Sequence, residues 1–437
     1  MGTRPTCRVT CAASLFGCVV FVARPGVAAP DPDGAQMIFA EAKAICARDH
    51  AALWGRELCG PILVVDPMDR AVIANQADAN GVLKPAGANF AGVLPDAVIV
   101  ANSPTEWSGV RWTQLTWPMA FETMNRHVTI AHEMFHRIQP ALGLTRPEAG
   151  NQHLDTLDGR YLLQVEWRAL ARALTAITPA ERDAAIADAL LFRQERYRRF
   201  AGAAADEAAL ETNEGVPEYT GVRLGLVTPQ ERIAYAVYDL SFFVEAPSFV
   251  RSFAYATGPA YGLLLDQADP DWRSKLGSGR RLDELLAAAL SLQAAPSARL
   301  AEREAVYDDG SLRAREEQRE ADRRVRLAQF KARLVDGPVL SAPLVHANYR
   351  FSPQALTPLE GFGTIYPTMR VSDDWGVLDV DDGGALMPGD RSKVSVPAKG
   401  IDPSHLAGAG WRLTLKTGWT VRAGHRTGDY EVVRARP

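Results

Sequence analysis

This sequence predicts an α+β chain built in three successive parts: a β-rich N-terminal segment, a mainly helical core and an all-β C-terminal module. Three observations carry that reading. Short apolar runs separated by Gly, Pro and Asp fill residues 61–117, and apolar residues at helical spacing dominate from Thr123 to Val335. Beyond Gly337-Pro338 the helical period gives way to short alternating runs. At 437 residues a single core would be unusually large, because domains tend to split beyond about 250–300 residues, so at least two packing units are expected. A hydrophobic fraction of 47% with 23% charged residues is that of an ordinary globular chain and excludes collagen-like repeats and disorder.

Residues 1–29 read as an export signal. Arg4 and Arg8 precede an apolar stretch from Cys11 to Ala23, and Val27-Ala28-Ala29 offers the small residues that signal peptidase needs. A lipoprotein signal at Cys18 is the weaker alternative, because Phe16 is bulky there and the segment stays apolar past the cysteine. Cys7, Cys11 and Cys18 fall inside the signal, which leaves Cys46 and Cys59 to form one disulfide in a periplasmic or secreted protein.

A helix is expected over 35–53, where Ile38, Phe39, Ala42, Ile45 and Cys46 share one face. Pro61–Val65 and Ala71–Ala74, joined through Asp66-Pro67-Met68-Asp69, read as a hairpin, followed by strands at Ala97–Ala101 and Val110–Trp117. Helices are then predicted at 123–139, 158–176, 179–200, 204–224, 229–245, 281–293 and 312–335, several opened by Thr-Pro or another capping start. In the last part Trp375–Asp381, Lys393–Pro397, Trp411–Lys416, Trp419–Arg422 and Tyr430–Arg434 read as strands. The expected division is therefore 1–29, 30–120, 121–336 and 338–437, the second and third forming one unit.

Charge narrows the function. Against 52 acidic residues stand 48 Lys and Arg, a balance of −4, and removing the three arginines of residues 1–29 leaves 45 against 52, or −7. Nucleic acid is not an expected partner. The basic helix at 312–335 does not change this, because Glu316, Glu317, Glu320 and Asp322 interrupt its arginines and its Leu327, Phe330, Leu334 stripe asks for packing along one edge. No apolar run of the mature chain reaches about 18 residues, so no spanning helix is expected.

The chemistry concentrates at His132-Glu133-Met134-Phe135-His136, inside an apolar helical stretch that Pro140 stops. Histidines four residues apart share one helix face, so both imidazoles can reach one Zn²⁺, with Glu133 placed between them as general base toward water activated by the metal. Arg137, where such a helix usually carries an uncharged residue, can snorkel away from the ligands. A catalytic zinc takes a third protein ligand and keeps one position open. The metzincin spacing fails, since its glycine and third histidine would fall on Gln139 and Leu142. Glu214, in Asn213-Glu214-Gly215, is the first choice for the third ligand, and Glu218 one turn on can orient a ligand histidine. Asp158, in a Thr156-Leu157-Asp158-Gly159-Arg160-Tyr161 run that resembles the aspzincins, is one alternative. Glu166 is the other, on an apolar helix where an ion pair with Arg160 or Arg168 is its plainer role.

Together, the His132–His136 motif and Asn213-Glu214-Gly215 resemble the gluzincin metallopeptidases, whose third ligand is a glutamate on a later helix. Asn213-Glu214-Gly215 followed by Glu218-Tyr219 is similar to the ligand helix of the membrane-alanyl-aminopeptidase family. The likeness spans residues 110–225. It implies a zincin-like catalytic core with His132, His136 and Glu214 on zinc and Glu133 as base. Two features depart from it: the stretch between His136 and Glu214 is far longer than in most gluzincins, and the Gly-x-Met-Glu-Asn element is absent, so aminopeptidase activity does not follow.

The expected reaction is hydrolysis of a peptide or protein substrate, with a second electrophile steadying the tetrahedral oxyanion. Tyr219, Tyr255 and Tyr261 are the candidates by residue type, although each is also a plain core or surface aromatic. The last two flank Gly258 and Pro259, where backbone can come close to a cleft. The strand at Val110–Trp117 offers either an edge for an extended peptide or a core hairpin strand. The competing class is a zincin-like binding or scaffold protein without turnover, whose C-terminal module holds a surface or carbohydrate ligand. Trp375, Trp411 and Trp419 are the rings available for that, but at alternating strand positions they read first as core. With only isolated His346, His405 and His425, the module is expected to be separable from catalysis.

Overall fold

The computed structural model describes residues 30–435 apart from 148–149, 293–296, 352–355 and 402–405. The segment read as an export signal (residues 1–29, with Cys18) and His405 lie outside the described residues. The first helix, α1 (Pro32–Asp49), is capped by the Asp31 carboxylate and buries the face formed by Ile38, Phe39, Ala42, Ile45 and Cys46. A disulfide joins Cys46 to Cys59 across a Cα–Cα distance of 5.7 Å.

Six strands follow: β1 (Ile62–Val65), β2 (Ala71–Ala74), β3 (Lys84–Ala86), β4 (Asn89–Val93), β5 (Ser103–Trp107) and β6 (Val110–Thr116), in the sheet order β3-β4-β2-β1-β6-β5. The predicted hairpin is present, with Val64 opposite Ile73. The predicted strand at 97–101 is a turn instead. Val98 closes it onto the Pro95 carbonyl, its own carbonyl accepts from Arg70, and Ile99 is 80% exposed, so neither ladder nor burial supports a strand there. The strand starts later, at Ser103, and pairs with β6. β6 also runs parallel to β1, with Val64 opposite Leu115. It is thus an interior strand, so of the two readings for Val110–Trp117 the core hairpin strand holds and the free edge for substrate does not: the edges belong to β3 and β5.

One face of this sheet (Ile62, Val64, Ile73, Leu115) shares a continuous core with α1 and the helices that follow. These are α2 (Thr123–Ile138), α3 (Leu157–Thr175), α4 (Pro179–Arg199), α5 (Ala203–Leu210), α6 (Val216–Gly225), α7 (Pro229–Phe242), α8 (Phe249–Ala268), α9 (Trp272–Leu276), α10 (Leu282–Ala289), α11 (Leu300–Tyr307) and α12 (Ser311–Lys331). Two differences from expectation shape the site. The helix predicted at 204–224 is α5 and α6 joined by a π-turn over Glu211–Gly215. Pro217 has no N–H to give, and widening the turn absorbs that gap. The second is α8, 20 residues long, which Gly258, Pro259 and Gly262 conceal from a reading by propensity. Burial overrides them: Phe253, Ala254, Ala256, Ala260 and Leu264 are all in the core.

The C-terminal module holds β7 (Val339–Pro343), β8 (Asn348–Phe351), β9 (Thr357–Leu359), β10 (Gly363–Tyr366), β11 (Met369–Asp373), β12 (Gly376–Val380), β13 (Ala385–Met387), β14 (Lys393–Pro397), β15 (Ala407–Gly408), β16 (Trp411–Leu415), β17 (Trp419–Ala423) and β18 (Tyr430–Arg434). They form a seven-stranded sheet, β17-β18-β7-β14-β13-β10-β9, and a five-stranded one, β15-β16-β12-β11-β8. Trp375 and Trp411 are buried in its core, with indole N–H groups donating to the carbonyls of Pro343 and Pro397. Neither ring is free to stack on a sugar. Trp419 lies half-buried beside the Arg434 guanidinium. The whole is α+β. Among the described residues no helix is long and apolar enough to cross a membrane.

Candidate metal centre

Close helix contacts assemble the site. A Cβ at Gly221 would lie 2.6 Å from the Val128 carbonyl oxygen, so α6 approaches α2 at a distance that glycine alone permits, and this sets Glu218 against His132. A Cβ at Gly258 would run into the Gly215 carbonyl; without it, α8 lies directly on the π-turn and brings Arg251 and Tyr255 to Glu214.

His132 Nδ1 is 2.6 Å from Glu218 Oε2, and His136 Nδ1 is 2.8 Å from Gln139 Oε1. The Gln139 amide nitrogen donates to the carbonyls of Leu144 (3.0 Å) and Thr212 (2.9 Å), which fixes its oxygen toward His136. Both imidazoles therefore carry their neutral-form proton on Nδ1 and turn a lone pair outward at Nε2. The two Nε2 atoms face each other at 2.9 Å, with Glu214 Oε2 3.7 Å from one and 3.6 Å from the other. Three acceptors pointed at one another repel unless a proton or a cation lies among them. Burial lowers the His132 imidazole, but the neighbouring Glu214 and Glu218 carboxylates outweigh it and push it up to about 10. Burial raises Glu214 as well, yet the attraction of the His132 and His136 imidazoles dominates and holds it well below the ordinary carboxylate range. Those shifts describe a pocket that holds positive charge strongly. The ligand atoms of His132, His136 and Glu214 lie within 4.8 Å of one another, so the set fits a metal ion.

Glu133, on the same helix, is 7% exposed; its Oε2 has no hydrogen-bond partner among the described residues, and burial raises its carboxyl. The Tyr255 hydroxyl donates to Glu214 Oε2 at 2.8 Å, while its ring stacks on His132 with centroids 5.8 Å apart and planes 4° from parallel. Arg251 Nη2 donates to Glu214 Oε1 at 3.2 Å.

The structure thus brings together His132, Glu133, His136, Glu214, Glu218 and Tyr255. It does not bring the other candidates to them. Asp158 pairs with Arg199 (3.1 Å) and Arg313 (3.2 Å), and Glu166 with Arg193 and Arg196 (2.7 Å each) in place of the expected Arg160 or Arg168. The Tyr261 hydroxyl donates to Glu166 in that fully buried network, and the Tyr219 hydroxyl to Asp266 at 2.8 Å. Arg137 ties α2 to the disulfide loop by donating to the carbonyls of Leu58 (2.7 Å) and Cys59 (2.9 Å). Sequence reasoning missed Gln139 and Arg251. The first was visible only as a polar residue one turn past His136, and the second sits on the concealed helix. A further His346, Asp373, Asp374 grouping on the module is a capped turn, with the Asp373 carboxylate accepting the backbone N–H of Val345 at 2.8 Å.

No protein-family profile, curated protein or solved structure matches this chain.

Proposed function

We propose that this chain is an exported zinc metallopeptidase of gluzincin type, in which His132, His136 and Glu214 hold Zn²⁺ and Glu133 is the general base. The observation that carries the reading is the convergence of two outward Nε2 lone pairs and the Glu214 carboxylate, each imidazole being tied back through Nδ1. Two histidines and a glutamate are a catalytic rather than a structural zinc set, because they leave a position open. When bound, the metal supplies Lewis-acid activation of water and of the scissile carbonyl.

The chain's own groups do the rest. Glu218 and Gln139 keep both ligand rings in the required tautomer and orientation. Glu133, buried with one oxygen unengaged, takes the proton of the attacking water and delivers it to the leaving amine. Tyr255 is the one of the three candidate tyrosines beside the ligands and is the donor we assign to the oxyanion. The Cys46–Cys59 disulfide and the signal-like sequence of residues 1–29 support work in the periplasm or outside the cell.

The test is zinc content and turnover together. The purified mature protein should hold about one zinc per chain and cleave members of a mixed peptide library in a chelator-sensitive way; Glu133→Gln should keep the zinc and lose the cleavage. A small fraction of one zinc per chain, or full activity in Glu133→Gln, refutes the reading. Zinc without cleavage of any peptide would favour the scaffold class.

A further inference from the structure

We infer that the C-terminal end of α7 forms a subsite for an aromatic side chain of the substrate, built from Tyr238 and Phe242. The inference rests on the peptidase reading above and deepens it by naming a substrate class. Tyr238 and Phe242, four residues apart on one helix face, stack with centroids 5.5 Å apart and planes at 21°, yet they are 55% and 52% exposed. A single exposed aromatic residue needs no explanation; a stacked pair left half in water presents apolar surface for something else to cover.

What the pair adjoins identifies the occupant. Phe242 meets Phe243 edge-on at 5.4 Å, Phe243 meets Tyr255 at 6.2 Å, and Tyr255 stacks on the ligand His132 at 5.8 Å. A continuous row of rings therefore leads from solvent to the metal-donor set. The row is fixed in place, because the opposite face of α7 buries Asp239 and Ala236 and the chain continues directly into a 3₁₀ turn at Phe243–Glu245. Among the described residues no cation or carboxylate pairs with the Tyr238 or Phe242 side chain. An added ring can stack on the free face or meet the free edge of either one. An extended peptide advances about 3.3 Å per residue, so a side chain a few positions from the scissile bond reaches the pair while the bond lies at the donor set. The preferred substrate is thus an extended peptide with a Phe, Tyr or Trp a few residues from the cut.

The experiment measures binding apart from turnover. Fluorescent Ala/Gly decapeptides with one Phe moved through successive positions, and an all-Ala/Gly control, are titrated against zinc-loaded Glu133→Gln protein. The same titration is made with Tyr238→Ser and Phe242→Ser added. Both added substitutions are at exposed positions outside the catalytic groups. At one or two Phe positions the parent should bind ~10-fold more tightly than it binds the control. The added substitutions should erase that difference and leave control affinity and zinc content unchanged. No preference in the parent, a preference that survives both substitutions, or equal loss for Phe and control peptides overturns the subsite. So does loss of binding to lipid vesicles with the peptide preference intact, which would assign the rings to a membrane surface. Failure of the wild type to cleave any of these peptides would count against the peptidase reading, while the affinity difference reports on the subsite by itself.

Discussion

Gln139 and Glu218 do the same work at opposite ends of the ligand pair, one through a neutral amide and the other through a carboxylate. Each accepts the Nδ1 proton of one histidine and so turns the other ring nitrogen toward the candidate metal position. Removing either acceptor leaves a histidine free to rotate or change tautomer. Gln139→Ala and Glu218→Ala should each weaken zinc affinity about 10–100-fold, read by competition with a chromophoric chelator, whereas Tyr219→Phe, at a hydroxyl bound to Asp266, should leave affinity unchanged. Equal affinities for all three proteins would dismiss the tautomer argument. The sequence revealed Glu218 because helical spacing from Glu214 points to it. Gln139 was legible only as the residue that rules out metzincin spacing, since glutamine carries no signature of a partner to a ligand. In the sequence the Asn213-Glu214-Gly215 run puts Glu214 ahead of Asp158 and Glu166, but only tertiary contacts decide which carboxylate faces the histidines. What separates them is position: Glu214 faces both histidines, whereas Arg193 and Arg196 hold Glu166, and Arg199 and Arg313 hold Asp158, away from them.

Among the elements, α3, α4 and the π-turn are locked by charge. Arg193 donates to Glu166 at 2.7 Å and to Glu211 at 2.6 and 3.0 Å, with all three side chains buried, and Glu211 lies one turn ahead of Glu214. Truncating one member strands its partners without compensation. Arg193→Met should therefore cost about 3–5 kcal/mol in a denaturant titration, far more than loss of a surface pair. Arg196 holds Glu207 at 2.7 Å on both oxygens. Burial alone would raise that carboxyl, but Arg196, with His153 adding, brings it down to about 2. Its folded value lies below the ordinary 4.5, so the contribution of the pair to stability is complete above about pH 4.5 and drains away as pH falls toward 2. Unfolding free energies measured across that window should fall with pH, and Glu207→Gln should flatten that part of the curve; an unchanged slope would remove Glu207 as its source. The boundaries of α4 were legible, because Thr178 and Glu181 form a capping box around Pro179. Neither α8 nor the π-turn was, because tertiary burial and helix crossing, not local propensity, make them possible.

For the whole molecule, the order of the three parts follows from periodicity, but Gly337-Pro338 marks a change of secondary structure and not an end to packing. The apolar stripe Leu327, Phe330, Leu334 continues the helical part under the module, where it meets Leu359, Ile365 and Leu386. Arg426 donates back to the carbonyls of Val335 and Gly337. A cavity of about 990 Å³ between α3, α12 and the module has walls from both parts, including Arg160, Arg319, Phe330 and Pro358. None of the residues gathered at the donor set comes from the module; they lie between His132 and Tyr255. Stability and catalysis should therefore separate on truncation. A chain of residues 30–335 exposes the buried Leu334, worth about 1.5–3 kcal/mol, and uncovers the half-buried Leu327 and Phe330 further, and should melt roughly 10 °C lower in a thermal scan. Its zinc stoichiometry and its kcat/KM on short peptides should match those of the intact chain below that transition. If the truncated chain folds but loses zinc, the module reaches the metal site through the helical core; if it keeps zinc and cleaves short peptides normally but fails on folded protein substrates, the module acts in substrate capture.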